Sequence, residues 1–581
     1  MAEAQHEQLD VVIIGGGVGG ICSLRANILS NPSASIALLE SQSSLGGVWA
    51  RERIYAGLKS NNVIGNYEFS DFLMDPSKFK VKAGQHIPGE IVNEYLTSYC
   101  EHFGLGEYIR LDRNVESVTR RVDSDSWVVK IHNESRSAIE TIEARKLIVA
   151  TGLTSQAYLP TITGQESFSR PLFHIADLKR RESEIVNASA KRTTVLGSAK
   201  SAFDAAYLLA DAGLPVDMII RASGHGPSWM APVRVTPLKK LLEKLLNTRL
   251  LTWFSPCIWG DSDGYPFIRR LLHSTWLGRK IVDAFWWILG NDVITLNQFD
   301  SHPETAKLKP WVGPLWIGSG LSILNYDHDL LDMVRNGKIK IHVADIERLS
   351  EGTIHLSTGD TLPSDGMVCC TGWRARPNIK FLPDGIEDAL GLPTANDPLT
   401  GNMIRTADAY ITKQLPKLKE QPDFNPHFKL LNADSEVSHP LRLYRFMIPC
   451  SSSLALSRSI AFVGMVTSAS TILLTQAQAL WASAYLNGTL SIPAEEEMQW
   501  STALHTQYCK LRYGVGANGK RNPDFAFDTL PYVDMLLNDL GLKWKRKEST
   551  LKEWLDPYGV EDYRGLVEEY LEKLKEDKKH I

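Results

Sequence analysis

The sequence predicts an α/β fold in which one parallel-sheet domain is inserted into another. Three observations lead to this prediction. The 581 residues exceed the size at which a single core stops growing, so two or three domains are expected. A strand–turn–helix–strand plan occurs twice, at residues 9–40 and 191–223. Matching strands that end in Thr-Gly, at 146–152 and 367–372, bracket the second copy, as expected if the chain leaves one domain and later returns to it.

The first copy has every part of a dinucleotide-binding turn. A continuous apolar run at 11–14, typical of a strand buried on both faces, leads into the pattern G-x-G-x-x-G. Its three glycines are Gly15, Gly17 and Gly20. The first permits a tight turn, the second lets a pyrophosphate approach the backbone, and the third lets the helix pack on the strand. The next strand ends at Glu40, where a carboxylate can accept the hydroxyls of an unphosphorylated ribose. The alternative is a structural Gly-rich turn.

The second copy repeats this plan with altered chemistry. Its turn begins at Gly197, and Ala199 and Ala202 replace the second and third glycines. The strand that follows ends at Arg221, where the first copy ends at Glu40. An acid would repel a 2′-phosphate, whereas an arginine binds one through a forked, charge-assisted pair. The second site is therefore predicted to take NADPH, unless Arg221 is simply a solvated arginine at a strand end.

Composition excludes several classes. A net charge of −4 with 22% charged residues gives no electrostatic case for nucleic-acid binding. Seven cysteines without any C-x-x-C pair favour a reducing, cytoplasmic compartment over a disulfide framework or a zinc site, and we expect no bound metal. Residues 1–8 are polar and do not read as a secretory signal, and no apolar run reaches the ~18 residues of a spanning helix.

Two dinucleotide sites in one chain imply electron transfer between two cofactors. NADPH would deliver hydride, and FAD in the first site would hold it and pass it on. A reductase would give the electrons to a disulfide or a protein partner, and a monooxygenase would give them to O2 and an organic substrate. The missing C-x-x-C pair argues against the disulfide version.

Domain limits follow from these repeats. The FAD-binding domain would comprise residues 1–165 and 372–500, and the NADPH-binding domain 166–371. The last segment, 501–581, is expected to be a charged helical extension, either solvated or docked, without chemistry.

Residues 230–330 do not fit a Rossmann unit and are rich in tryptophan. We expect a helical insertion that covers the mouth of the active site. A membrane-surface helix is the alternative, with peripheral contact through residues 236–290. The oligomeric state is not predicted.

Several motifs resemble those of the class B flavin-dependent monooxygenases, which include flavin-containing and Baeyer–Villiger monooxygenases. G-G-V-W at 46–49 is similar to their G-G-x-W, and Asn61 falls where flavin-containing monooxygenases place an active-site asparagine. Residues 197–202 resemble their NADPH turn, and 462–481 resemble their closing FAD strand and helix. Fungal tailoring enzymes of secondary metabolism look closest. The turns and the resemblance give these candidate cofactor-binding residues: Gly15, Gly17, Gly20, Glu40, Gly47, Trp49, Asn61, Thr151, Gly152, Gly197, Lys200, Ser201, Arg221 and Gly464.

One family motif is only partly present. Phe168 and His174 match the pattern F-x-G-x-x-x-H, but Arg170 replaces its glycine and Leu178 with Lys179 replaces the following aromatic or W-P element. These departures weaken the expectation of ring-expanding ketone oxidation. The resemblance makes His174 a candidate catalytic residue, although a core or hinge histidine is the alternative.

The resemblance also implies the chemistry. NADPH would reduce FAD, the reduced flavin would capture O2 as a C4a-hydroperoxide, and one oxygen atom would enter a small, mostly apolar organic substrate. Asn61 would hydrogen-bond the flavin–oxygen adduct in a dry site, unless it is a turn asparagine. The alternative function is an FAD-dependent NADPH reductase that serves a partner protein.

Overall fold

The computed structural model describes most of the chain. The described residues are 6–235, 240–318, 320–374, 376–423, 425–429, 439–515 and 523–577. Two sheets dominate them, one of eight strands and one of five.

The larger sheet carries the first nucleotide turn. Along its main path the strands follow in the order Lys380–Leu382, Arg113–Arg121, Ser126–Asn133, Ala138–Val149, His6–Ile14, Ile36–Leu39 and Ile109–Arg110, and Ile460–Phe462 pairs with Ala138–Val149. His6–Ile14 is parallel to both of its neighbours. Val12 and Ile13, on opposite faces of this strand, are fully buried in two different core clusters. Burial on both faces explains why the run at 11–14 is continuously apolar.

The smaller sheet carries the second turn and is parallel throughout. Its strands follow in the order Ile339–Val343, Val216–Ile220, Thr193–Leu196, Met367–Cys369 and Leu172–His174. All five come from chain between residues 172 and 369, whereas the larger sheet uses strands before and after that segment. The predicted insertion of one Rossmann-like domain into another is therefore confirmed.

Helices cover both sheets and form most of the remainder. The α-helices are Val18–Ser30, Pro76–Phe79, Gly89–His102, Leu178–Ile185, Lys200–Asp211, Leu242–Leu246, Arg249–Thr252, Pro266–Ser274, Trp276–Asn297, Pro303–Ala306, Leu330–Arg335, Ile386–Leu390, Gly401–Gln414, Ser452–Ser457, Thr471–Leu486, Glu495–Tyr513, Thr529–Asp539, Thr550–Leu555 and Leu566–Asp577. The predicted Trp-rich insertion is helical, as expected. None of the helices in the described ranges combines the length and the apolarity needed to cross a membrane.

Short strands complete the fold. The pairs and the one triplet are Lys59–Val63 with His86–Pro88, Trp229–Pro232 with Leu321–Leu324, Arg234–Val235 with Lys240–Leu241, Ile346–Ser350 with Thr353–Leu356 and Thr361–Pro363, Leu443–Tyr444 with Ile448–Pro449, and Thr467–Ser468 with Asp524–Phe525.

The C-terminal segment is packed onto the larger domain. Thr529–Asp539 lies against Thr471–Leu486, and Leu566–Asp577 reaches the first-turn helix, where the Tyr570 hydroxyl is 3.1 Å from Ser30 Oγ. The apolar residues that share one face of the last helix are buried, except for a half-buried Leu571: Leu566, Val567, Tyr570 and Leu574. The helix is therefore docked rather than solvated.

Candidate active site

The first nucleotide turn opens on a cleft of about 260 Å³. The cleft lies at the carboxyl ends of His6–Ile14, Ile36–Leu39 and Ala138–Val149, where the chain leaves each strand. Eight of the predicted cofactor-binding residues line it: Gly15, Gly17, Glu40, Gly47, Trp49, Thr151, Gly152 and Gly464. They come from segments far apart in sequence, so folding brings together what the motifs indicated separately.

The three fingerprint glycines have different tasks in the structure. Gly15 has a φ of +110°, which favours glycine. A Cβ on Gly20 would lie 1.8 Å from the carbonyl oxygen of Gly15, so this glycine is required for the helix to pack on the turn. A Cβ on Gly17 would meet nothing closer than Gly47 Cα at 3.6 Å. The protein itself therefore has room for a methyl at Gly17, unlike at Gly15 and Gly20.

Glu40 is buried at the end of its strand, as predicted. Oε2 accepts from the backbone N–H of Gly16 at 2.6 Å, and Oε1 accepts from that of Gln42 at 2.8 Å and from the Ser41 hydroxyl at 3.1 Å. A carboxylate offers about four acceptor sites, so one remains for a ligand hydroxyl. Thr151 Oγ1, in the same cleft, is buried without a partner in the described part of the chain. Both groups fit a polar ligand.

A second, larger cavity of about 620 Å³ lies beside the first. It is lined by Asn61 from the first domain and by Lys200 and Ser201 from the second nucleotide turn. The two cavities share five wall residues: Trp49, Tyr67, Thr154, Gly464 and Thr471. A ligand that extends along the first cleft therefore reaches the wall of the second cavity.

Asn61 lies on the strand Lys59–Val63 and faces the second cavity, not the first cleft. Its Oδ1 is buried and has no partner among the described residues. An unpaired buried acceptor is unfavourable unless something binds it. The position favours a ligand-binding role over that of a turn asparagine.

Comparison with known proteins identifies the family. A model of the family described as pyridine nucleotide-disulphide oxidoreductase matches residues 12–252. The chain is 33% identical to the FAD-dependent monooxygenase resA of Aspergillus sclerotiorum, over 97% of this chain and 98% of that protein. The chain belongs to the FAD-dependent monooxygenases.

Two solved structures of cyclohexanone monooxygenase are similar in fold to this chain. A closed crystal structure of cyclohexanone monooxygenase superposes with a TM-score of 0.61 at 14% identity, over 92% of this chain and 98% of that one. Cyclohexanone monooxygenase from Rhodococcus sp. Phi1 bound to NADP+ superposes with a TM-score of 0.56 at 16% identity, over the same shares of the two chains.

Lys200 joins a cluster that connects the two domains of the monooxygenase. Its ammonium pairs with the Asp204 carboxylate, which also accepts from the Tyr55 hydroxyl at 3.0 Å and the Tyr326 hydroxyl at 2.8 Å. Burial and the adjacent carboxylate raise the pKa of both tyrosines well above the usual value. Tyr55 precedes the candidate asparagine, so the cluster ties the second nucleotide turn to the strand that carries Asn61.

Gly197 and Arg221, both predicted for the second site, are not among the described residues that line the two cavities. Gly197 has a φ of +148°, and a Cβ there would come 2.6 Å from the Cys370 carbonyl oxygen, so it serves the turn. Arg221 donates to Ser223 Oγ at 3.0 Å and to the Lys429 carbonyl at 3.1 Å. Both acceptors are neutral.

His174 is likewise absent from the described lining of both cavities. Its Nδ1 accepts from the backbone N–H of Ala176 at 3.2 Å, and its ring lies 4.8 Å from that of Trp373, which lines the second cavity. Burial lowers the pKa of His174 to about 4, so the ring is neutral at pH 7. The geometry favours a hinge or positioning role over direct contact with reacting atoms.

Glu243, which lines the second cavity, was not identified from the sequence. Glu243, on the insertion helix Leu242–Leu246, accepts from the backbone N–H of Val63 at 3.1 Å and from the Asn66 amide at 2.9 Å. Burial raises the pKa of its carboxyl to about 7. No local pattern marks this glutamate, because its partners are about 180 residues away in sequence.

The C-terminal segment also contributes to the cavity. Asp524–Phe525 pairs as a strand with Thr467–Ser468, and Asp524, Phe525 and Ala526 line the wall. The segment 501–581, expected as a helical extension without chemistry, therefore supplies part of the cavity wall. Pairing with a strand near Gly464 brings this late segment back to the cavity.

Proposed function

We propose that this chain is an FAD- and NADPH-dependent monooxygenase that inserts one atom of O2 into a small, mostly apolar organic substrate. The observation that carries the proposal is the shared wall of the two cavities, one opening from each nucleotide turn. Shared walls bring two cofactors within reach of each other and of a substrate. A tailoring step in secondary metabolism is the proposed setting, in keeping with its fungal relatives.

The first cleft would hold FAD. Gly17 leaves room for the pyrophosphate, and the helix that begins at Val18 directs its free N–H groups toward it. Glu40 would accept a ribose hydroxyl, and the flavin end would lie near Trp49 and Gly464, where the cavities meet. When bound, FAD accepts hydride from a nicotinamide, and its reduced form activates O2.

NADPH would occupy the side of the second cavity formed by Lys200 and Ser201. The NADP+ of the Rhodococcus enzyme, whose fold this chain shares, supports the choice of cofactor. Arg221 would bind the 2′-phosphate by exchanging its two neutral acceptors for a charged one. His225, next to Arg221 and in the cavity lining, has a pKa lowered to about 4 by burial, so it adds no charge there at pH 7.

The substrate would lie between Asn61 and the helical insertion. Apolar side chains of the insertion and the C-terminal segment dominate that wall: Leu242, Leu246, Val312, Ile317, Leu321, Ile323 and Phe525. Asn61 would accept a hydrogen bond beside the reacting oxygen, and the apolar wall would exclude water from it. His174 would not contact the reacting atoms but would position Trp373, which lines the second cavity.

The cytoplasm is the proposed compartment, because all seven cysteines are free and buried.

The test is to measure the stoichiometry of the reaction. The holoenzyme is supplied with NADPH and a panel of apolar ketones, sulfides and alkenes, and NADPH, O2, peroxide and product are counted. A monooxygenase on its substrate consumes NADPH, O2 and substrate in equal amounts and releases little peroxide. The alternative, an NADPH reductase for a protein partner, gives fast dye reduction and no oxygenated product with any substrate.

A further inference from the structure

The outer side of the insertion exposes an unusual concentration of large apolar side chains. Sixteen such side chains are exposed among the described residues, and eight of them lie between residues 267 and 296. They are Phe267, Leu271, Trp276, Leu277, Ile281, Trp287, Ile288 and Leu296. Scattered exposed apolar residues are ordinary, but a cluster on two adjacent helices marks an interaction surface.

The longer helix, Trp276–Asn297, is apolar on two sides. Its inner side is buried through Val282, Trp286 and Val293. Its outer side carries the exposed apolar residues named above that lie between Trp276 and Ile288, and their spacing places them on one face of the helix. A helix that contacts only the protein on one side and water on the other would be polar on the outside.

The charges on the outer side are basic. Lys280 falls within the apolar stripe, four residues after Trp276, and Arg270 is exposed between Phe267 and Leu271. The acid nearest the stripe, Asp283, is bonded to Lys417 at 2.8 Å. We define the outer face as the exposed side chains of Pro266–Ser274 and Trp276–Ile288.

We propose that the outer face docks this monooxygenase on an anionic lipid bilayer. Tryptophan and basic residues suit the boundary between lipid headgroups and acyl chains, because indole rings lie at that boundary and lysine stems extend from lipid to phosphate. The apolar side chains enter the acyl region while Lys280 and Arg270 contact anionic headgroups. The helix then lies in the plane of the membrane surface.

A second copy of the chain fits the outer face less well. In a two-fold dimer this face would meet itself, so Lys280 and Arg270 of both copies would converge. The one acid between residues 276 and 288, Asp283, is half-buried and already paired with Lys417, so it does not offset them. Like charges in a buried interface oppose association, whereas anionic lipid attracts them.

The inner side of the same helix lies close to the active site. Trp286, Leu289 and Val293 border a small apolar gap whose other walls include Trp229 and Leu242, which also line the second cavity. A bilayer on the outer face would therefore be one helix away from the cavity, which suits a mostly apolar substrate if the proposed function holds.

Flotation of the full-length holoenzyme with vesicles tests the proposal. One set of vesicles is phosphatidylcholine alone, and the other contains phosphatidylserine as well. The wild type is expected to float with both and more strongly with the second. The double substitution W287E and I288E is expected to lower partitioning about tenfold or more for each side chain removed from lipid. Lys280→Glu is expected to weaken binding only to the phosphatidylserine vesicles.

Leu456→Glu is the matched control, since Leu456 is 68% exposed, Trp287 is 69% exposed and Leu456 lies outside the outer face. It is expected to float like the wild type, and flavin content and melting temperature verify the fold of every variant. The proposal is overturned if the wild type does not float, or if the double variant floats equally well. A wild type that does not float but forms a dimer, together with a W287E and I288E double variant that is a monomer, would assign the face to self-association instead. Light scattering measures the oligomeric state of both proteins. Neither result depends on whether the enzyme oxygenates anything.

Discussion

Gly17→Ala separates the needs of the fold from the needs of the cofactor. The new Cβ would lie 3.6 Å from Gly47 Cα, an ordinary contact distance, and the backbone at φ −78° and ψ −172° is open to alanine. The protein without cofactor should therefore keep its stability, or gain about 0.4–1 kcal/mol because alanine restricts the unfolded chain. The methyl would instead enter the space proposed for the pyrophosphate.

The expected loss is in FAD affinity. Overpacking by one methyl costs about 1–3 kcal/mol, which raises Kd for FAD roughly 5- to 150-fold. FAD is removed, the melting temperature of the protein is measured, and FAD is then titrated back by flavin fluorescence. Gly313→Ala is the control, since a Cβ there meets nothing within 4 Å.

Gly20→Ala gives the opposite pattern. Its Cβ would overlap the Gly15 carbonyl oxygen, so the protein should lose stability even without FAD. If Gly17→Ala binds FAD as tightly as the wild type, or lowers the melting temperature as Gly20→Ala does, the assignment of the pyrophosphate site is refuted.

Three further predictions concern Asn61 and Glu243 in the second cavity and Arg221 in the second nucleotide unit. Asn61→Ala should retain FAD and oxidise NADPH but release hydrogen peroxide in place of product, because the unpaired Oδ1 is lost; an unchanged product yield would remove Asn61 from the site. Arg221→Ala should raise KM for NADPH about tenfold or more and leave KM for NADH nearly unchanged, as expected of a charge-assisted bond, and equal weakening of both would contradict contact with the 2′-phosphate. Burial raises the pKa of Glu243 from its ordinary value of 4.5 to about 7, so the protonated form favours the fold, and the wild type should lose up to about 3 kcal/mol of unfolding free energy as pH rises from 4.5 through 7. In Glu243→Gln this loss of unfolding free energy with rising pH should be absent when stability is measured by urea unfolding. A pH dependence equal to that of the wild type would show that burial does not keep Glu243 protonated.

Local patterns were sufficient to predict the first strand–turn–helix unit and the place of Glu40 in it. The G-x-G-x-x-G turn, the buried strand before it and Glu40 are all contained in about 30 residues, so each could be predicted from neighbours in sequence. The second turn was also found, but the contacts of Arg221 were not, since its acceptor on Lys429 comes from a distant segment.

The parts that sequence missed depend on distant contacts. Tyr55 meets Asp204 across 149 positions, and Glu243 meets Val63 across 180. The apolar face of the last helix indicated docking but not its partner. The strand Asp524–Phe525 is too short to carry a pattern, so its return to the cavity could not be anticipated.

A crystal structure of the enzyme with FAD and NADP+ would test the central claim most directly. The account predicts the flavin ring at the shared wall beside Trp49 and Gly464, the nicotinamide next to it in the second cavity, and the 2′-phosphate on Arg221. NADP+ bound away from the second cavity, with no path from nicotinamide to flavin, would contradict it.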